Sequence, residues 1–274
     1  MIFHDMESVL KKLNNSIKRS TPFSLIRFGD GGLKFIYAIF QNQKTELDAI
    51  CKKEGIPKNG VVDILDLWGY HARYADFIDS PQYYFTGDFW PRLKNLDKQI
   101  SQSTYLKLIN WKELYYRAEI DNSNFCNPEL NYLVFIKRKD RRNIFDVVSG
   151  KRICFITTKP NIIQIFRRFG CKCDYVSIVG QYQNHYANSF EPTLKYISNY
   201  ASYYDLWFVS AGELGRIYSG VIKEKGGRAF DLGFMTEVLN GGNLHPRLRK
   251  FLSVQNSRPF ITLTKEGMEF EDKI

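Results

Sequence analysis

The apolar positions near the start of the chain keep a helical rhythm. Met6, Val9, Leu10, Leu13 and Ile17 recur at intervals of three and four, which predicts an amphipathic helix over residues 5–20 with Asp5 as its N-cap. Thr21-Pro22 stops it. The apolar run Phe23–Phe28, the turn Gly29-Asp30-Gly31-Gly32 and the helical run Leu33–Phe40 follow, so the pattern is strand, glycine turn, helix. A further helix over Thr45–Glu54 closes at Gly55. Between about residues 56 and 127 the period is lost; Trp68, Tyr70, Tyr74, Tyr83, Tyr84, Phe85, Phe89 and Trp90 crowd a stretch punctuated by Ser80-Pro81, Gly87-Asp88 and Pro91. This stretch reads as a helical, aromatic-rich insertion, and Asn127-Pro128-Glu129 opens a helix that runs to Lys137.

Beyond residue 150 the rhythm changes. Strands are predicted at 152–157, 174–179, 206–209 and 229–232, alternating with helices at 161–169, 192–203 and 213–225. Such alternation marks βαβ units and a parallel sheet. Leu206-Trp207-Phe208-Val209 is apolar without a break, as expected when helices cover both faces of the sheet. The fold class is therefore α/β, a mainly parallel sheet flanked by helices. With 274 residues and no linker-like or repeated segment, one domain over 1–274 is expected, with a C-terminal extension at about 243–274.

Composition narrows the class. Hydrophobic residues make up 44% and charged residues 25% of the chain, enough to build a core and too apolar for wholesale disorder. No apolar run reaches the length of a membrane span, and Met1–Asp5 lacks a basic-then-apolar leader pattern. The five cysteines, Cys51, Cys126, Cys154, Cys171 and Cys173, are odd in number and show no Cys-x-x-Cys spacing, which fits buried thiols in a reducing cytoplasm better than disulfides or zinc. The formal charge of +10 points to an anionic partner: nucleic acid, acidic lipid or a phosphorylated small molecule. No motif supplies groove-reading or base-stacking geometry, so specific nucleic-acid binding is not expected. The basic runs Lys137–Arg142 and Arg247–Lys250 read as solvated faces.

In an open parallel sheet the ligand lies beyond the carboxyl ends of the strands, so the residues after each strand are the candidates. Arg27 and the turn Gly29-Asp30-Gly31-Gly32 allow close backbone approach to a phosphate at a helix start, and Asp30 is a carboxylate suited to a hard divalent cation or, equally, to capping. Thr157-Thr158-Lys159 offers hydroxyls and an ammonium ahead of a helix, for an anion or for plain capping. Ser210-Ala211-Gly212-Glu213 is a small-residue junction, and Asp231 is placed to accept from a sugar or ribose hydroxyl or to cap the next helix. His185, in Gln181–Tyr186, is a candidate general base or phosphate donor, with a structural role as the alternative.

Three of these segments also share a resemblance. Ser24–Gly31 with its following helix and Phe40-Gln41, Asp205–Gly215, and Gly227–Gly233 resemble the opening and closing motifs of the GT-D-type glycosyltransferases, a family first known as a domain of unknown function; Tyr116-Arg117-Ala118-Glu119 is similar to its mid-chain arginine segment. The resemblance implies a Rossmann-like enzyme, cytoplasmic and possible at the inner membrane face. Its substrates would be a nucleotide-diphosphate donor, typically a UDP-sugar, and a glycan, glycoprotein or lipid-linked acceptor. It further implies Mn or Mg held with the donor diphosphate by an Asp-any-Glu motif. The matching positions here are Asp30, Gly31 and Gly32, so the glutamate is missing. Three expectations follow: Asp30 holds the metal alone, another acid such as Glu213 or Asp231 completes the site, or lysine and arginine replace the metal. Arg27 and Arg117 would face the diphosphate, and Trp68, Trp90 and Trp111 would stack on acceptor sugars or form core. Glu213, His185 and Asp88 are the candidate general bases. A non-catalytic nucleotide- or glycan-binding protein on the same fold is the alternative.

Overall fold

The computed structural model describes residues 2–28, 32, 35–36, 38–39, 43–79, 124–126, 134–135, 143–180, 182–233, 235–239, 261–264 and 267–270. Strand β1 (Ile2–His4) leads into α1 (Met6–Arg19). The Asp5 carboxylate accepts the Ser8 N–H at 2.8 Å, and Ser20 leaves the helix in the left-handed region at φ 54°. Met6, Val9, Leu10, Leu13 and Ile17 are all buried, as their spacing requires. Next come β2 (Phe23–Arg27), α2 (Lys44–Glu54), α3 (Val61–Arg73), β3 (Phe77–Asp79) and β4 (Asn124–Cys126). Gly55 ends α2 at φ 73°, and residues 32, 35, 36, 38 and 39 are helical.

The second half runs α4 (Ile144–Val148), β5 (Arg152–Thr157), α5 (Ile162–Arg167), β6 (Lys172–Ser177), a π-helical turn Tyr186–Phe190, and α6 (Glu191–Tyr200). It continues through β7 (Leu206–Ser210), a 3₁₀ turn Gly212–Leu214, α7 (Gly215–Glu224), β8 (Arg228–Asp231) and α8 (Met235–Leu239). An antiparallel hairpin, β9 (Ile261–Thr264) with β10 (Gly267–Phe270), forms a separate sheet.

Among the described residues eight strands make one sheet in the order β1-β4-β3-β2-β8-β7-β5-β6, and every neighbouring pair is parallel. This is the α/β, Rossmann-like architecture expected. Alternate residues of each strand feed two cores. Phe23, Leu25, Phe155, Phe208 and Phe230 pack with α1, α4 and α5 on one face. Ile26, Cys154, Ile156, Trp207 and Val209 pack with α3, α6 and α7 on the other. All five cysteines are buried and free, as small hydrophobes. Among the described residues no helix is long and apolar enough to cross a membrane.

Several elements depart from expectation. The segment 56–127, read from sequence as a helical insertion, contributes α3 and the strands β3 and β4 to the main sheet. Trp68 lies on the buried face of α3 and is fully enclosed, so it is core and not an acceptor platform. The helix expected over 127–137 is described only at Val134 and Phe135, which form a turn. Strand β6 starts at Lys172, not Asp174, because its pairing with β5 sets Arg152 opposite Lys172. As an edge strand it exposes four of its six residues, and the apolar pattern misreports its register. Helix α4 was not legible as a helix, although Asn143 and Asp146 close a capping box around its start.

Candidate active site at the carboxyl edge of the sheet

The chain leaves β5 toward β6 and leaves β7 toward β8, on the opposite side, so the β5–β7 border is a topological switch point. Beside it, the ends of β7, β8, β2 and β3 lie in adjacent positions, and their terminal residues form one linked set. The Arg27 Nε donates to Asp79 Oδ2 at 2.9 Å, and the Arg27 backbone N–H donates to Asp231 Oδ2 at 3.3 Å. Asp79 is almost fully buried while Arg27 keeps 18% of its side chain exposed, so the carboxylate anchors the guanidinium without covering it. A charge-assisted hydrogen bond of this type contributes about 1.5–3 kcal/mol.

Strand β8 ends in a tight bend. Asp231 Oδ1 accepts the Gly233 N–H at 2.8 Å, and Gly233 takes φ 54°. A Cβ on Gly233 would come within 2.1 Å of Arg27 Nη1, so the guanidinium lies flat against this glycine. The Ser210 hydroxyl at the end of β7 donates to the Gly233 carbonyl and lies 2.5 Å from Thr236 Oγ1. Ser210, expected as a ligand contact, thus ties the β7 and β8 loops together. Burial pushes the Asp231 carboxyl above the usual carboxylate range, against the opposing pull of Arg216, of the Gly233 N–H and of Arg27.

Behind these loops lies a buried cation. Helix α7 packs across β2, β8 and α3, and Arg216 in its first turn is 5% exposed. Its Nη1 pairs with Glu213 Oε2 and donates to the Glu213 carbonyl at 3.3 Å. The guanidinium carbon stands 4.3 Å from the Trp68 ring centroid and 5.4 Å from that of Phe28, contacts that stabilise a desolvated cation by about 2 kcal/mol. Among the described residues its Nε has no hydrogen-bond partner. A Cβ at Gly32 would fall 2.6 Å from Arg216 Nη2, 3.1 Å from Cζ and 3.2 Å from Nε. The guanidinium therefore fills the space directly beneath Gly32. Glu213, expected as a general base, is buried and engaged by Arg216.

His185, the other described base candidate, is 3% exposed. Its Nδ1 faces Glu54 Oε2 at 3.6 Å and its Nε2 lies 3.3 Å from the Tyr218 hydroxyl. Both Glu54 oxygens would be 2.8 Å from a Cβ on Gly212, whose φ is +56°, so this carboxylate–imidazole–phenol set lies immediately behind the β7 loop. Ala211 is buried and Gly212 exposed. Thr158 and Lys159 are partly exposed in the turn after β5, where the Lys159 N–H donates to Thr157 Oγ1 at 3.0 Å. Gly29, Asp30, Gly31, Asp88, Trp90, Trp111 and Arg117 lie outside the described residues.

Sequence reasoning had not singled out Glu54, Asp79, Arg216 or Tyr218 as site residues. Asp79 carries a readable signal, an acid directly after the apolar pair Phe77-Ile78 at a strand's carboxyl end. Glu54 carries none, since it ends an ordinary mixed helix.

No protein-family profile matches the chain, and no curated protein matches it. Solved structures do. The selenomethionine-substituted structure of the domain of unknown function DUF1792 aligns over 100% of this chain and 92% of its own, with TM-score 0.56 and 14% identity. A second, described as the highly conserved domain DUF1792 with a distinct glycosyltransferase fold, gives the same coverage and TM-score at 13% identity. The chain has the DUF1792 fold. A third DUF1792 structure, described as a new glycosyltransferase from Streptococcus sanguinis, covers 96% of this chain at TM-score 0.52 and 13% identity. The resemblance of the short motifs thus extends to the fold of the whole chain.

A glutamate side chain at position 32 would not fit in the DUF1792-like chain without displacing Arg216. The volume at position 32 is taken by a guanidinium, and among the described residues no cluster of three His, Cys, Asp or Glu is disposed to hold a metal ion.

Proposed function

We propose that the chain is a glycosyltransferase that moves a sugar from a nucleotide-diphosphate donor, a UDP-sugar first among them, to a surface glycan, glycoprotein or lipid-linked acceptor. The observation that carries this reading is the linkage of Arg27, Asp79, Asp231, Gly233 and Ser210 at the carboxyl ends of four adjacent strands. In this fold class that edge receives nucleotides.

As the bond from the anomeric carbon to the diphosphate breaks, negative charge grows on the leaving oxygen. A guanidinium fixed before the reaction stabilises that charge without reorganising. Arg27 is so fixed: Asp79 holds its Nε, and Gly233 lets it lie close against the backbone. Asp231 holds the two backbones together through its bonds to the Arg27 and Gly233 N–H groups. Ser210 and Thr236 keep the β7 and β8 loops in register. Both described base candidates, Glu213 and His185, are enclosed and already engaged, which leaves deprotonation of the acceptor to a group outside this set. The basic charge of the chain suits loose attachment to an anionic membrane face, where such acceptors are built.

The occupied space at Gly32 favours one second reading, a protein that binds nucleotide sugars without transferring them. The first test is thermal unfolding against a panel of nucleotide sugars with and without manganese. A ligand at 100 times its Kd adds about 2.7 kcal/mol, or about 5 °C in Tm for a chain of this size. Stabilisation by no nucleotide sugar would overturn both readings, and binding without release of the sugar would favour the second.

A further inference from the structure

The position of Arg216 carries more than the loss of a metal-binding glutamate. A glutamate deleted from a cation site leaves a gap for water. Here the gap is filled by a buried side chain of the opposite charge, with three guanidinium atoms within 3.2 Å of where the Gly32 Cβ would stand. The group is held from two sides, by Glu213 and by the Trp68 and Phe28 rings. Among the described residues its Nε–H still finds no acceptor, although the side chain is buried. A buried donor without an acceptor destabilises a protein unless another group satisfies it.

The surrounding charges agree. Among the described residues, Arg27 pairs with Asp79 and Arg216 with Glu213. A divalent cation's binding depends on carboxylate count, and each of these two carboxylates is already faced by one of the two guanidinium groups. The same two groups present N–H donors that suit phosphate oxygens.

We infer that Arg216 stands in place of the second metal-binding carboxylate and backs Gly32 with its own positive charge, so that the donor diphosphate binds without a divalent cation. This rests on the donor-site reading above. Gly32 is required because any side chain there would displace the guanidinium.

Isothermal titration of the full chain with UDP, once in manganese and once in EDTA, decides the matter with a binding readout. The expected result is the same Kd within about twofold in both; a Kd weaker by about tenfold or more in EDTA overturns the inference and leaves the donor site standing. Absence of UDP binding in both buffers overturns the donor site as well. Gly32→Ala tests Arg216 without deleting it. Alanine favours the helical conformation at this position, while its Cβ forces the guanidinium aside. UDP affinity should fall about fivefold or more with no new response to manganese; unchanged affinity would overturn the role of Arg216.

Discussion

Replacing Gly233 by alanine perturbs the proposed site through a single carbon. Two effects add. A non-glycine residue in the left-handed region costs about 1–2 kcal/mol, and Gly233 sits at φ 54°. The new Cβ would also lie 2.1 Å from Arg27 Nη1 and 3.1 Å from its Cζ, so the guanidinium must shift to relieve the overlap. That motion strains or breaks the 2.9 Å bond to Asp79, whose loss beside a buried carboxylate removes about 1.5–3 kcal/mol. The sum is about 2.5–5 kcal/mol, and at about 2 °C per kcal/mol for a chain of this size Tm should fall by about 5–10 °C. Gly226→Ala is the control. Gly226 has φ +83°, and nothing lies within 4 Å of where its Cβ would stand, so it reports the backbone strain alone, about 1–2 kcal/mol. The assay is paired: thermal unfolding of both variants, and UDP titration of each. Gly233→Ala should lose clearly more stability than Gly226→Ala and should alone weaken UDP binding. Equal destabilisation, with UDP affinity intact in both, would refute the assignment of Arg27 to a fixed place in the site.

Other expectations concern the groups around this centre. The folded-state pKa of Asp231 is raised, so between 3.8 and that higher value the folded chain holds a proton the unfolded chain has lost, and the contribution of this group to stability falls as pH climbs through the window. Asp231→Asn should flatten that slope in urea unfolding measured across pH 4–7, and an unchanged slope would contradict the buried placement. Gly212→Ala should lower stability by about 2–3 kcal/mol, from left-handed strain together with a contact on the Glu54 carboxylate. A loss below about 0.5 kcal/mol in chemical denaturation would show that Glu54 does not back the β7 loop.

The sequence was most readable where both faces of a strand are covered. Residues 152–157 and 206–210 are nearly unbroken apolar runs because α4 and α5 lie over one face and α6 and α7 over the other, and such runs stand out without any period. The strands β1, β3 and β4 have three residues each, too few positions to establish a period of two. Their residues therefore fell in stretches where no strand was read. The strand ends at Val209 and Phe230 were legible because a glycine or small residue directly after a strand is a local signal. The identity of their partners was not local. Asp79 reaches Arg27 from 52 positions away and Asp231 from 204, and the relation of Gly32 to Arg216 exists only once α7 is laid across β2. The absent glutamate was visible as a letter, but the cation in its place was visible only in three dimensions.

The central claim is that the carboxyl edge of this sheet binds a nucleotide-diphosphate sugar and releases the diphosphate. Phosphorus NMR of the chain incubated with a panel of nucleotide sugars, first without acceptor and then with candidate glycan acceptors, reads that event directly. The account predicts loss of the donor's diphosphate-ester resonances and growth of free nucleoside diphosphate for one donor class, sustained in EDTA and abolished by Arg27→Met. A panel in which donors bind yet every donor spectrum stays unchanged, with and without acceptors and metal, would contradict it.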